Sequence, residues 1–303
     1  MRWVPDKTGR FPRRPHYQPD AIDAHCERLV QKFLMKKYGK IEFPFKTEDI
    51  TIFVEERADL DSCVDLSHEE GDVDGVTEFK PGQRPLVSIS DKLSAPNMEN
   101  RLRTTLTHEF GHVYFHQFMF DTMNQTASLF PEEHKAHRNR CKRATIERAA
   151  ESDWMESQAG YAYGAILMPA SALIEAAQAF RAKNRLPFTN LLVNSAAGQD
   201  LIGMVASTFQ TSRDAARVRL LKKEILADTG SPNAALFLTM LVGVKNSPPL
   251  VPEGPSELPQ PSIRLERHSP APRCCFVTRF MARCFWWVGD EPHSVSRSGA
   301  QSE

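Results

Sequence analysis

Between Ala21 and Tyr38 the apolar residues Ile22, Leu29, Val30, Phe33 and Leu34 recur at a helical period, and Gly39 follows where such a helix would stop. Three short runs rich in β-branched residues come next: Asp49 to Val54, Gly75 to Phe79 and Leu86 to Ser90. Turn-forming stretches such as EEGDVDG and KPGQRP separate them, so they predict a small antiparallel sheet. Ser94 then offers a cap and Pro96 a first turn for a long helix through MENRLRTTLTHEFGHVYFHQFM, in which Gly111 is the only breaker. Residues 121–150, including EEHKAHRNRCKR, are polar and charged and predict a solvated excursion. A second helix starts near Asp153 and ends at Met168, because Pro169 disfavours helical geometry in the residue before it.

Further helical segments are predicted at Ser171 to Phe180, Leu191 to Val193 and Ile202 to Leu226. Across the last of these, TFQTSRDAARVRLLKK reads as a short helix, a tight turn and a second helix. From Asn246 the stretch NSPPLVPEGPSELPQP marks a linker, so the folded unit should end near residue 244.

Composition narrows the picture only a little. The 303 residues suffice for one large domain or two small ones. Basic and acidic residues balance at 38 each, so no global field points toward nucleic acid or a membrane surface. The beginning, MRWVPDKTGRFPRRPHYQPD, is basic and proline-rich and lacks the apolar run of a secretory signal, which predicts a cytoplasmic protein. The six cysteines (Cys26, Cys63, Cys141, Cys274, Cys275, Cys284) form no CxxC pair and read as free thiols. CCFVTRFMARCFWWV comes nearest to a membrane span, but Arg279 and Arg283 interrupt it and it is shorter than the roughly 18 residues required; it reads as irregular tail.

The chemistry concentrates in LTHEFGHVYFHQF. Residues four apart on a helix lie about 40° apart around its axis, so His108 and His112 can present their imidazoles to one ion. Glu109 projects to the side, where it can serve as a base rather than a ligand. Gly111 lets another segment approach closely. A catalytic zinc needs a third protein ligand, and His116 lies two turns beyond His108, too far to meet the same ion. The extended metzincin pattern is also absent. Glu156 is the best source, because Ala159, Gly160, Ala162, Gly164 and Ala165 after it are small enough for its helix to pack closely on the His helix. Two alternatives stay open: Asp153 and Glu156 have capping-box spacing, and Glu147 and Glu151 are nearby acids.

THEFGHVYFH followed by WMESQAGYAYGAILMP resembles the ImmA/IrrE family of metallopeptidases, in which H-E-x-x-H precedes E-x-x-A on a helix ending in L-M-P. The second element matches as Glu156, Ala159, Leu167, Met168 and Pro169. The stretch DLDSCVDLSHEEGDVDGVTEFKPGQRPLVSIS resembles that family's strand region, and FQTSRDAARVRLLK its helix-turn-helix-like C-terminal part. The resemblance spans about residues 20 to 240. It implies an α+β fold: a zincin-like metallopeptidase core at 21–170 with a small antiparallel sheet on helices, then a helical, helix-turn-helix-like subdomain at 171–244; composition adds a basic proline-rich leader at 1–20 and a proline-rich tail at 245–303.

It further implies His108, His112 and Glu156 as ligands of zinc and Glu109 as the catalytic base, although two histidines and a carboxylate also accept manganese or another divalent ion. The implied reaction is hydrolysis of a peptide bond in a dedicated partner, a helix-turn-helix repressor or antitoxin, which releases stress or mobile-element genes. Leu86 to Ser90 is expected to offer a sheet edge to that substrate, and residues 121–150 a cover for the site. Tyr161, Tyr163 and His116 all remain open as transition-state donors. Two other readings compete. One is a DNA-binding regulator with a structural metal, using Arg213, Arg217 and Arg219; the arginines are few, and a structural zinc normally takes four protein ligands. The other is a toxin-like module that binds a protein without cutting it.

Overall fold

The computed structural model describes residues 1–80, 82–127, 137–142, 153–187 and 189–228, with backbone alone at 123–127 and 137–142. The leader is a hairpin. Strands β1 (Arg2–Pro5) and β2 (Arg13–His16) pair antiparallel, with Arg2 opposite His16. The Asp6 carboxylate closes the turn by accepting from the backbone N–H groups of Thr8 at 2.9 Å and Phe11 at 3.1 Å. Phe11 is thereby turned inward against Phe120 and Trp154. Helix α1 (Pro19–Tyr38) begins on a proline and ends on Gly39 at φ 68°, a left-handed cap whose N–H reaches Met35 O, as its periodicity predicts.

The run Asp49 to Val54 is not a strand. It lies within helix α2 (Thr47–Glu55). A strand would place Ile50, Ile52 and Val54 on one face; the helix buries Ile50, Phe53 and Val54 and sends Ile52 to solvent. Glu48 and Asp49 in the first turn favour the helix N-terminus, and Phe53 stacks on Phe110 at 4.2 Å between centroids, so packing overrides β-propensity.

Strands β3 (Asp59–Val64), β4 (Val73–Phe79), β5 (Leu86–Ser90) and β6 (His137–Lys142) form one sheet in the order β3-β5-β4-β6. It is mixed, not antiparallel: β4 runs antiparallel to β5 and β6, while β3 runs parallel to β5. Apolar β5, with Val87 and Ile89 buried, sits inside the sheet, and β3, carrying Asp59 and Asp61, takes an edge. Leu86 to Ser90 is therefore not an edge; its main-chain groups are paired on both sides.

Two 3₁₀ turns (Asp91–Ser94 and Pro96–Met98) lead into α3 (Glu99–Ala127), so Ser94 closes the first turn rather than capping the long helix. Both α3 and β6 extend into the region expected to be a solvated excursion, whose remaining residues, 128–136 and 143–150, lie outside the described residues. So do Glu147, Glu151, the linker and the tail. Helix α4 (Trp154–Leu167) and helix α5 (Ala170–Lys183) flank Pro169. Leu191–Leu192 forms a two-residue strand, β7, parallel to β8 (Leu226–Ala227), in place of the expected helix, because Ser195 caps α6 (Ala196–Phe209) only three residues later. The segment expected as helical from Ile202 to Leu226 turns tightly at Gln210, φ 49°, and restarts at the Ser212 cap as α7 (Arg213–Lys222).

The described residues thus form a mixture of helices and small sheets, and none of their helices is long and apolar enough to cross a membrane. The described residues belong to one compact unit. Its main core runs from Tyr17 to Leu226. Fully buried Arg103 on α3 donates to the carbonyls of Gln210 at 2.9 Å and Phe209 at 3.1 Å, satisfying the end of α6. The ion pair of Arg219 with Asp23, also buried, ties α7 to α1.

Helix α4 crosses α3 where both are small. A Cβ on Gly111 would lie 3.0 Å from Ala159 Cα and 3.2 Å from Ala162 Cβ. Gly111→Ala should therefore destabilise the protein by about 1–2 kcal/mol, although alanine is worth about 1 kcal/mol in helix propensity. Thermal unfolding checks this: a lowered midpoint is expected, and an unchanged or raised one shows that the helices do not need this closeness.

Candidate metal centre

Three of the sequence-predicted residues meet. His108 and His112, one turn apart on α3, point their Nε2 atoms at each other, 3.2 Å apart. Glu156, on the first turn of α4, sets Oε2 3.2 Å from His108 Nε2 and Oε1 3.2 Å from His112 Nε2. All three are buried. Among the described residues this is the one cluster of His, Cys, Asp or Glu groups arranged to hold a metal ion. The spacing fits such an ion: tetrahedral ligands on bonds of about 2.1 Å stand about 3.4 Å from one another.

The capping-box alternative fails. Asp153 is the N-cap and its side chain accepts from Met155 N at 3.0 Å, while Glu156 turns away toward the imidazoles. His116 is buried but outside the cluster, its Nδ1 3.1 Å from His112 Nδ1 and its Nε2 3.2 Å from Gln158 Oε1. The Tyr161 hydroxyl donates to Asp23 at 2.9 Å, and Tyr163 belongs to the main core.

Glu109 lies beside this cluster and is fully buried. Thr77 on β4 donates a short hydrogen bond to its Oε2, and Oε1 has no hydrogen-bond partner among the described residues. Strand β4 comes this close because residue 75 is glycine: a Cβ there would lie 2.8 Å from Glu109 Oε1. Thr77 and Gln158 do not stand out in the sequence. Gly75 does carry a signal, since a glycine inside a strand marks a close approach of backbone.

Electrostatics match the geometry. Burial pushes the Glu156 carboxyl up, but the facing His112 and His108 imidazoles more than reverse this and hold it below the usual carboxylate range. Burial pushes His112 down, and Glu156 more than compensates, so its pKa rises above the ordinary histidine value. For Glu109 burial prevails over the nearby imidazoles and Thr77, and its pKa is raised.

The arginines proposed for DNA are differently occupied. Arg219 is buried, donating to Met168 O at 3.1 Å and paired with Asp23, so it cannot reach a phosphate. Arg213 donates to Gln199 Oε1 at 3.0 Å, and Arg217 stands 4.0 Å from Asp228. No family model and no curated protein matches the chain.

Protons and a metal compete for the same Nε2 atoms, so acid should weaken binding. Below the raised His112 pKa, zinc affinity should fall about tenfold per pH unit, as titration calorimetry at pH 8, 7 and 6 would show. Glu156→Ala should weaken zinc at neutral pH by at least about a hundredfold, the upper end for loss of an outer-shell contact. Wild-type affinity in that variant would remove Glu156 from the ligand set.

Proposed function

We propose that this chain is a cytoplasmic, zinc-dependent endopeptidase that cuts a dedicated protein partner, a helix-turn-helix repressor or antitoxin, and so releases stress or mobile-element genes. The observation that carries the reading is the meeting of Glu156 with His108 and His112, with Glu109 beside them. It brings together the two motifs that resemble the ImmA/IrrE family although they lie 48 residues apart. The packing of α3 against β4 and α4 supports a zincin-like core, and the α6–turn–α7 pair supports the helix-turn-helix-like part. Burial of the site supports a narrow substrate range. Three protein ligands, rather than four, favour a catalytic over a structural ion.

His108, His112 and Glu156 would hold the ion; zinc fits this donor set, and manganese is the chief rival. A divalent ion held there acidifies water and polarises a peptide carbonyl. The chain's own contribution is proton handling. Glu109, with Oε2 fixed by Thr77, takes a proton at Oε1 from the attacking water and returns it to the leaving amine nitrogen, so that one water is added across the C–N bond. Because β5 is interior, an extended substrate would have to pair with an outer strand, β3 or β6.

The test is incubation of the zinc-loaded protein with the helix-turn-helix protein encoded beside it, followed by mass spectrometry. Two fragments summing to the intact mass plus one water are expected. Glu109→Gln should keep its fold and zinc but lose cleavage by at least about a hundredfold. Full biological effect in that variant would instead favour the non-catalytic binding module.

A further inference from the structure

A line of hydrogen bonds leaves the candidate metal centre through the Nδ1 atom of His112. His112 Nδ1 lies 3.1 Å from His116 Nδ1, His116 Nε2 lies 3.2 Å from Gln158 Oε1, and Gln158 Nε2 lies 3.0 Å from the main-chain oxygen of Pro15 on β2. His112, His116 and Gln158 are all buried.

The direction of this line is fixed from its far end. A carbonyl oxygen only accepts, so Gln158 must turn its NH₂ toward Pro15 and its oxygen toward His116. His116 Nε2 must then carry the proton of that imidazole and donate it to Gln158. Its Nδ1 is left bare and accepts from His112, which must carry its own proton on Nδ1. The lone pair of His112 Nε2 then faces His108 and Glu156, where an ion would sit.

Rotation of the His116 ring would break this order, and the surroundings prevent it. Trp154 packs edge-on against the ring, with centroids 5.3 Å apart, and its indole N–H donates to Asp6 Oδ1 in the hairpin turn at 3.1 Å. The hairpin thus touches the line twice, at Pro15 and through Trp154. His108 has no comparable support, since its buried Nδ1 has no hydrogen-bond partner among the described residues.

We propose that His116 and Gln158 are positioning residues that hold His112 in the tautomer whose Nε2 binds a divalent cation, with the N-terminal hairpin anchoring the line through Pro15. This rests on the metal-centre reading of His108, His112 and Glu156. It makes cation affinity depend on residues that touch neither the ion nor a substrate.

The test measures zinc affinity by competition with a chromophoric chelator for the full chain and for His116→Leu, His116→Asn and Gln158→Leu, with thermal unfolding of each. His116→Leu should weaken zinc about 10–100-fold, the range for loss of such a partner, without a matching fall in unfolding temperature. His116→Asn, whose Oδ1 can accept from His112, should recover most of the affinity. A purely packing role predicts the reverse order, with leucine the better replacement.

Nitrogen-15 spectra of the zinc-loaded full chain should show His112 protonated at Nδ1 and metal-bound through Nε2. His112 bound through Nδ1 would overturn the proposal, and so would wild-type affinity in His116→Leu. If His116→Leu does not fold, Gln158→Leu and the spectra of the unaltered chain decide by the same criteria. Failure of the unaltered chain to bind zinc would overturn the metal-centre reading itself, and this proposal with it.

Discussion

The crossing of α3 and α4 at Gly111 and Ala159 governs the rest of the site. A Cβ on Gly111 would lie only 3.0 Å from Ala159 Cα, so the two helices pack closer here than a side chain on residue 111 would comfortably allow. That nearness lets a short carboxylate side chain on α4 reach two imidazoles on α3 at 3.2 Å each. Metal bonds tolerate errors of only about 0.2 Å, so a side chain of ordinary size at the crossing would cost the third ligand. On another face of α3 a second glycine works likewise. Gly75 brings β4 against Glu109, and Thr77 fixes one of its oxygens. The candidate ligands and the proposed base are thus located by two close approaches, each made possible by a missing side chain.

A site of this kind puts charge and polarity into the interior, and the fold answers by pairing several of the buried charges, though Glu109 Oε1 and His108 Nδ1 have no hydrogen-bond partner among the described residues. Glu156 faces two imidazoles, Asp23 faces Arg219, Lys223 and the Tyr161 hydroxyl, and Arg103 serves the carbonyls ending α6. Removing one partner of such an arrangement leaves a buried charge uncompensated, a loss of about 3–5 kcal/mol. The same pairings tie α1 to α4 and α7, and the end of α6 to α3. The helices after residue 195 therefore brace the site from behind, and Arg219 is spent on that bracing rather than on a nucleic acid.

Much of this could be read from the sequence where local rules govern. The periodicity of α1, the unbroken run of α3, the stop before Pro169 and the turn before Ser212 are all decided within a few residues. His108, Glu109 and His112 follow from helical spacing, and the small residues after Glu156 gave away the close crossing. Where distant partners decide, local rules do not suffice. Asp49 to Val54 looks like a strand until Phe53 is placed on Phe110. Nothing local shows that β5 lies between β3 and β4, or that β3 runs parallel to it. The leader hairpin depends on Phe11 and Asp6 meeting Trp154, and Gln158 gains its importance only from Pro15 across 143 residues of chain.

The central claim is a three-ligand centre of two imidazoles and one carboxylate with one position left open. X-ray absorption at the zinc edge of the loaded, full-length protein tests it most directly. The expected spectrum has light atoms only, at about 2.0–2.2 Å, with multiple scattering from two imidazoles and none from a third. Sulfur at about 2.3 Å, or three or more imidazoles around the ion, would contradict it.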